Sequence, residues 1–419
     1  MRLLILSWVV LFIAVTPVAA QDTAINPALE AHFALIEETT QQIRALKPIA
    51  PIVRDFPTRE ELGAYIETLL ATDFSEEDMQ RTVQFYAAFD LLPIDTDLRA
   101  VIQDLLTDQI GGFYDPETGV MNVILLSGEQ PEDELPLLEQ IVYSHEYIHA
   151  LQDQHFDLVG IGLSTEDSLA NPDGTLAVQA LIEGDATLGM TEFLNQIVEE
   201  NPFTAFELLT QSFATGNLTL PPGTPDILEE ELLYPYEEGL VFTSRLYSEG
   251  GWPAVNNAFV ELPVSTEQIL HPERYLAGDE PQEISLAPTQ AALNDEWTLV
   301  WDRTLGEFYL TNYLKTQLPR PDAQAAATGW GGDRYHIYHN ATTNELAWVL
   351  RLSWDTTDDF VEFTNAYERF ADARFGASRQ GDCWLGVTDV LCTVTDGEDN
   401  LIALAPTQEQ ALALLNSQR

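Results

Sequence analysis

Lysine is almost missing from this chain: Lys47 and Lys315 are the only two in 419 residues. Altogether 18 basic residues stand against 68 acidic ones, a formal net charge of −50 at pH 7. A surface of that sign repels phosphate backbones and anionic headgroups, which argues against nucleic acid and lipid surfaces as partners. It favours solubility and suits a salty or acidic setting. No D-x-D-x-D-G loop is present, so the acidic residues do not spell a calcium loop of the helix-loop-helix kind. Cysteine is scarce too, with only Cys383 and Cys392. That excludes a cysteine-built zinc module and a small disulfide-dense scaffold. Repeats and low-complexity tracts are absent. Beyond the first twenty residues no stretch is apolar and long enough to span a bilayer.

Those first twenty residues read as a secretory signal peptide. Arg2 gives a positive start, residues 3–15 are apolar, and Val18-Ala19-Ala20 places small residues before a cleavage point. An uncleaved anchor is the alternative. No cysteine follows the cleavage point, so no lipoprotein anchor is expected. The mature chain is expected to be soluble and secreted or extracytoplasmic, in a periplasm or at a cell surface. In that setting Cys383 and Cys392, flanking a turn at Val387-Thr388-Asp389, read as a disulfide.

What is present in strength is Ser144-His145-Glu146-Tyr147-Ile148-His149-Ala150, an H-E-x-x-H run. On a helix, imidazoles at i and i+4 stand on one face a turn apart and can share one metal ion. Leu137, Leu138, Ile141, Val142, Ile148 and Leu151 make this a core helix, where imidazoles need partners. Glu146 can reach a metal-bound water without being a ligand. A third ligand is needed, and Glu183 in the helical run Ala180-Leu181-Ile182-Glu183-Gly184-Asp185-Ala186 is the candidate. Two imidazoles, one carboxylate and an open position favour one Zn²⁺ per chain. Asp185 is either a surface carboxylate or the partner of a ligand imidazole. His155 reads as a capping or packing residue and His271 as a turn residue. His336 and His339 carry no assigned chemistry. For a donor to a developing oxyanion the candidate is Tyr236, placed at a helix start, with Tyr234 or His271 next in line.

The pattern along the chain predicts a signal peptide at 1–20 and a helical region at 21–110, with Thr58-Arg59-Glu60-Glu61 as a capping box. Residues 111–285 form the metal-bearing core. A hairpin turns at Asp115-Pro116-Glu117-Thr118, followed by helices at about 133–156 and 175–199. The strand at 120–125 is expected to form the edge of a substrate groove. Residues 286–419 hold a helix at 302–318, then strands and helices in an order that suggests a small α+β domain of ferredoxin-like type. The fold class expected is α+β.

These residues resemble the gluzincin metallopeptidases, which carry H-E-x-x-H on one helix and a glutamate ligand on the next. The resemblance implies a mainly helical zincin catalytic domain with a small edge sheet, ligands His145, His149 and Glu183, and Glu146 as general base. Tyr236 with Gly239 resembles the Tyr-x-x-Gly element of the aminopeptidase group, whose tyrosine stabilises the oxyanion. That group's Gly-Ala-Met-Glu-Asn motif is absent, which points away from an aminopeptidase. More closely, Gly112-Phe113-Tyr114-Asp115-Pro116, residues 145–157, Glu183-Gly184-Asp185-Ala186 and Ser265-Thr266-Glu267-Gln268-Ile269-Leu270-His271-Pro272 resemble a family of exported prokaryotic proteins without an assigned substrate. The expectation is an exported zinc peptidase, of the endopeptidase kind, acting on a peptide or protein substrate. The alternative is a non-catalytic binding or envelope-assembly protein on the same scaffold.

Overall fold

The computed structural model describes residues 26–73, 75–109, 111–125, 133–161, 170–201, 223–289 and 292–419. The signal-peptide segment 1–20 and most of the loop expected at 160–172 lie outside the described residues. The chain forms two compact units that interleave along the sequence. One takes residues from 1–75, 97–168 and 176–263, the other from 76–96, 169–175 and 264–419.

In chain order the elements of the first half are α1 (Pro27–Arg44), β1 (Val53–Asp55), α2 (Arg59–Asp73), α3 (Glu76–Ala88), α4 (Leu98–Gln109), β2 (Gly112–Asp115), β3 (Val120–Val123), α5 (Leu137–Phe156), α6 (Pro172–Glu200), α7 (Asp226–Gly250) and α8 (Trp252–Ala258). All but α3 and the first turn of α6 belong to the first unit. Leu29, Phe33, Ile36, Thr40 and Arg44 are buried at steps of three and four, a stripe that turns one face of α1 inward. That face lies on α5. The Phe33 and Tyr143 rings stack at 5.0 Å, and the Thr40 and Ser144 hydroxyls are 3.0 Å apart. Gln41 Nε2 donates to the Tyr147 phenol at 2.7 Å. The capping box read from the sequence is present. Glu61 N–H donates to Thr58 Oγ1, and Thr58 N–H donates back to the Glu61 carboxylate at 2.8 Å.

The hairpin forms as the sequence indicated. Asp115 Oδ1 accepts from Glu117 N–H, its Oδ2 accepts from the Thr118 hydroxyl, and Gly119 closes the turn at φ +69°. One expectation fails here. Strand β3 is not an edge: the sheet order is β1-β3-β2, with β1 parallel to β3 and β2 antiparallel to it. The three residues of β1 are too few to show an alternating pattern, so the sequence hid the strand that covers β3. Among the described residues the free hairpin edge is β2.

Helices α6 and α7 cross at two glycines. A Cβ on Gly184 would lie 2.1 Å from the Gly239 carbonyl oxygen, and one on Gly239 would lie 2.1 Å from the Ala180 carbonyl oxygen. The crossing is backbone against backbone. Helix α7 also corrects an expectation, because Tyr236 is not at a helix start. The helix begins at Asp226 and runs through Pro235. A proline suits a first turn, which is why the sequence suggested a start there.

The second unit is built on a seven-stranded sheet. Its strands are β4 (Trp297–Arg303), β5 (Trp330–Asn340), β6 (Glu345–Trp354), β7 (Arg379–Gln380), β8 (Cys383–Leu385), β9 (Val390–Asp396) and β10 (Asp399–Ala405). The helices are α9 (Thr266–Leu270), α10 (Pro272–Ala277), α11 (Gly306–Lys315), α12 (Arg320–Ala327), α13 (Thr357–Phe375) and α14 (Gln408–Asn416). The order β4-β5-β6-β10-β9-β8-β7 has every neighbour antiparallel. A ferredoxin-like sheet is likewise antiparallel, and the one here extends to seven strands. Residues 297–303 are strand where the helix at 302–318 was expected to begin. Trp297 and Trp301 recur at a spacing that suits either period.

Helix α3 and Phe89 belong to this unit through an aromatic cluster. Phe85 packs on Trp301, Tyr309 and Tyr335, and Phe89 on Tyr313 and Trp348. The Cys383–Cys392 disulfide is formed between directly opposed residues of β8 and β9, inside a core with Leu401, Ala411 and Leu414. The overall class is α+β, with a small mixed sheet and a larger antiparallel one.

Two expectations about stability follow from these contacts. Gly239→Ala forces a methyl group into the α6 backbone and should cost about 3 kcal/mol or more, at the high end for overpacking. A urea midpoint equal to that of the parent would contradict this crossing. In the second unit burial pushes the Asp173 carboxyl up to about 7, against hydrogen bonds from Thr266, and Asp333 up to about 6. The unfolded chain releases these protons near pH 4. The folded state therefore holds extra protons between about pH 4 and 7, and stability from these groups falls as pH rises through that window. Asp173→Asn should flatten the fall, read as a smaller drop in Tm from pH 5 to pH 8.

Candidate metal centre

Helix α5 is buried along the whole stretch from Tyr143 to Gln152. Such a helix cannot carry polar side chains unless they satisfy one another. His145, His149 and Glu183 do so. The two Nε2 atoms are 3.0 Å apart, and Glu183 Oε2 lies 3.1 Å from one and 3.4 Å from the other. The three side chains are 7%, 0% and 2% exposed. Each offers one ligand atom, and all these atoms lie within 4.8 Å of one another, so the group can hold a metal ion. The donor set fits: tetrahedral ligands at about 2.0–2.1 Å from an ion stand about 3.3 Å apart, close to the spacings found.

Charges in this pocket reinforce one another. Burial would raise the Glu183 carboxyl, but His149 and His145 outweigh it and hold it down at about 2. Burial works against a proton on His149, yet Glu183 and Glu146 outweigh it and lift the imidazole to about 9. His145 is lowered by burial. Glu146 is pushed up to about 8 by burial, although His149 and the Tyr114 N–H stabilise its anion. A dication placed among the ligands would favour the neutral imidazole and the ionised carboxylate instead. Glu146 Oε2 has no hydrogen-bond partner among the described residues.

The Gly184–Gly239 crossing positions the remaining group. It brings Tyr236, one turn before Gly239, against the candidate metal ligands. The phenol hydrogen-bonds Glu183 and the ring lies 6.0 Å from the His145 ring. Burial and the two nearby carboxylates push its ionisation well above the ordinary range, so it stays a donor. Tyr234, the neighbour considered beside it, is buried. His271 lies in the second unit, where its Nε2 pairs with Glu307 at 2.9 Å. His155 Nε2 bonds the Lys47 carbonyl at 2.8 Å, a structural role as expected. His336 faces Asp302 and His339 faces Asn344.

Asp185 does not touch an imidazole directly. Gln152 stands between, its Oε1 at 2.8 Å from His149 Nδ1 and its Nε2 at 2.7 Å from Asp185 Oδ2. Arg44 then pairs with Asp185, Nε to Oδ1 at 2.6 Å. Gln152 and Arg44 were missed in the sequence. Gln152 lies three residues past His149 on the same helix face, which was the available signal. Arg44, more than a hundred residues away, offered none.

Residues 298–415 match the family described as Domain of unknown function (DUF8575). This stretch covers most of the antiparallel sheet and none of the candidate metal ligands. No curated protein and no solved structure matches the chain.

His145→Ala, His149→Ala and Glu183→Ala should each abolish stoichiometric metal binding, measured by elemental analysis of purified protein. Parent-level metal in any of the three would remove that residue from the ligand set.

Proposed function

We propose that this protein is an exported zinc peptidase, most simply an endopeptidase, that hydrolyses peptide bonds in a peptide or protein substrate. The observation that carries the reading is the convergence of His145, His149 and Glu183 with an unpartnered, buried Glu146 beside them. A structural metal site has no use for a spare carboxylate at that place, whereas hydrolysis does. Two imidazoles and one carboxylate are the usual set for catalytic zinc. Zinc bound there would supply a Lewis acid and an activated water.

The chain's own groups divide the remaining work. Glu146 accepts the proton of the attacking water at Oε2 and hands it to the leaving amine. Tyr236, released from Glu183, donates its phenolic hydrogen bond to the developing oxyanion. The free edge of β2 passes Glu146, since Tyr114 N–H donates to that carboxylate. An extended substrate backbone would pair with β2 and reach Glu146 along it. The apolar, small-ended segment at 1–20 and the formed disulfide support export. No helix among the described residues is long and apolar enough to cross a membrane.

Turnover of a casein-type substrate by metal-loaded protein tests the reading. Glu146→Gln should lower kcat by about 10²–10⁴-fold or more while keeping its metal. Tyr236→Phe should cost about 10²–10³-fold in kcat with little change in KM. Metal-loaded parent protein with no turnover above Glu146→Gln on any peptide substrate would favour the non-catalytic binding or envelope-assembly reading instead.

A further inference from the structure

We infer that Arg44 of the N-terminal helix is a positioning residue of the metal centre, acting through Asp185 and Gln152 to fix which nitrogen of His149 faces the ion. The inference rests on the metal-site reading above and adds a residue and a role to it.

The argument starts from the Gln152 amide. Its Nε2 lies 3.0 Å from the Ile182 carbonyl oxygen and 2.7 Å from Asp185 Oδ2. Both are acceptors, so the NH₂ end of the amide must face them. Oε1 therefore faces His149 Nδ1 at 2.8 Å, and an amide oxygen only accepts. Nδ1 must then carry a hydrogen. In the neutral ring this leaves the lone pair on Nε2, the atom that meets His145 and Glu183. The amide thus sets the tautomer that a metal ligand needs.

The lock depends on where the Asp185 carboxylate is held, since Gln152 Nε2 donates to it. Asp185 and Arg44 are both 0% exposed. A buried carboxylate so placed needs a partner to hold it in position. Arg44 is that partner, with a two-point contact, Nε to Oδ1 at 2.6 Å and Nη2 to Oδ2 at 3.0 Å. Arg44 is itself held by Asn256 Oδ1 at 2.7 Å and by the Trp252 ring, 4.5 Å below the guanidinium. The relay runs Arg44, Asp185, Gln152, His149, across three helices. α1 thereby contributes to the metal-holding part of the chain.

The test uses the full mature chain, its zinc affinity by chelator competition, and the cobalt-substituted form. In the latter the His149 Nδ1 hydrogen gives a paramagnetically shifted, exchangeable proton signal. Arg44→Met should weaken zinc binding about 10–100-fold, the range for lost outer partners of a ligand, and speed exchange of that proton more than tenfold. Arg44→Met leaves Asp185 unpaired and risks misfolding. The double variant Arg44→Met/Asp185→Leu removes both charges together and should fold. It should still bind zinc about tenfold more weakly and exchange faster, because the relay is broken. A folded double variant with parent affinity and parent exchange would overturn the inference and leave the metal site standing. Parent protein that takes up no metal would overturn the metal site, and the inference with it.

Discussion

Burying two imidazoles and two ligand-side carboxylates in one helical core is the constraint on which the first unit depends. Each ion placed there costs several kcal/mol of lost hydration unless another charge or a set of hydrogen bonds compensates it. Glu183 is compensated by His149 and His145, and Asp185 by Arg44. Glu146 keeps the Tyr114 N–H and the nearby His149. Glu183 meets two imidazoles, whereas Glu146, the proposed base, keeps an oxygen, Oε2, with no hydrogen-bond partner among the described residues, as do His145 at Nδ1 and Asp185 at Oδ1.

The packing around these groups follows from what their partners require. Asp185 needs a guanidinium from α1, so α1 has to lie along α5, and its buried stripe from Leu29 to Arg44 does so. Tyr236 needs to reach Glu183, so α7 has to approach α6 more closely than side chains permit. Gly184 and Gly239 remove the obstacle on both sides at one level. That the two glycines flank functional positions, one after Glu183 and three after Tyr236, is a geometric necessity. On a helix the neighbours of a contact residue are the ones that meet the other backbone. The proline before Tyr236 is tolerated inside α7 for lack of any need to start the helix there.

The sequence carried the local part of this. The i, i+4 imidazoles, the helix that buries them, the capping box at Thr58, the turn at Asp115 and the cysteine pair all rest on short-range rules. Each is found in the structure. Glu183 could be proposed because it sits on a helix of its own with an acidic neighbour. What the sequence could not carry was pairing at a distance. The covering strand β1 has three residues and no alternation, so β3 looked like an edge. The strands after Trp330 were visible one by one, but the seven-stranded order that joins them was not. Arg44 reaches across 141 residues to Asp185, and no local pattern marks it. Tyr236 was found by its neighbours and misplaced by Pro235, a start signal overruled by tertiary packing.

The shortage of lysine has a related origin. With 18 basic and 68 acidic residues, a cation that met only one carboxylate would leave most of them uncompensated. Arginine can meet several, because its planar fork presents five donors where lysine offers one compact charge. The structure uses it that way. Arg54 contacts Glu30 and Glu37, Arg351 contacts Asp396 and Asp399, Arg374 contacts Asp90 and Asp389, and Arg274 contacts Glu267, Asp279 and Asp355. Individually such part-exposed pairs contribute little, and salt screens them. The same salt also screens repulsion among the surplus carboxylates, which is the larger number of interactions. A chain of this composition therefore loses its weak attractions and its many repulsions together as ionic strength rises. The buried Arg44–Asp185 pair, out of reach of the solvent, keeps its strength throughout.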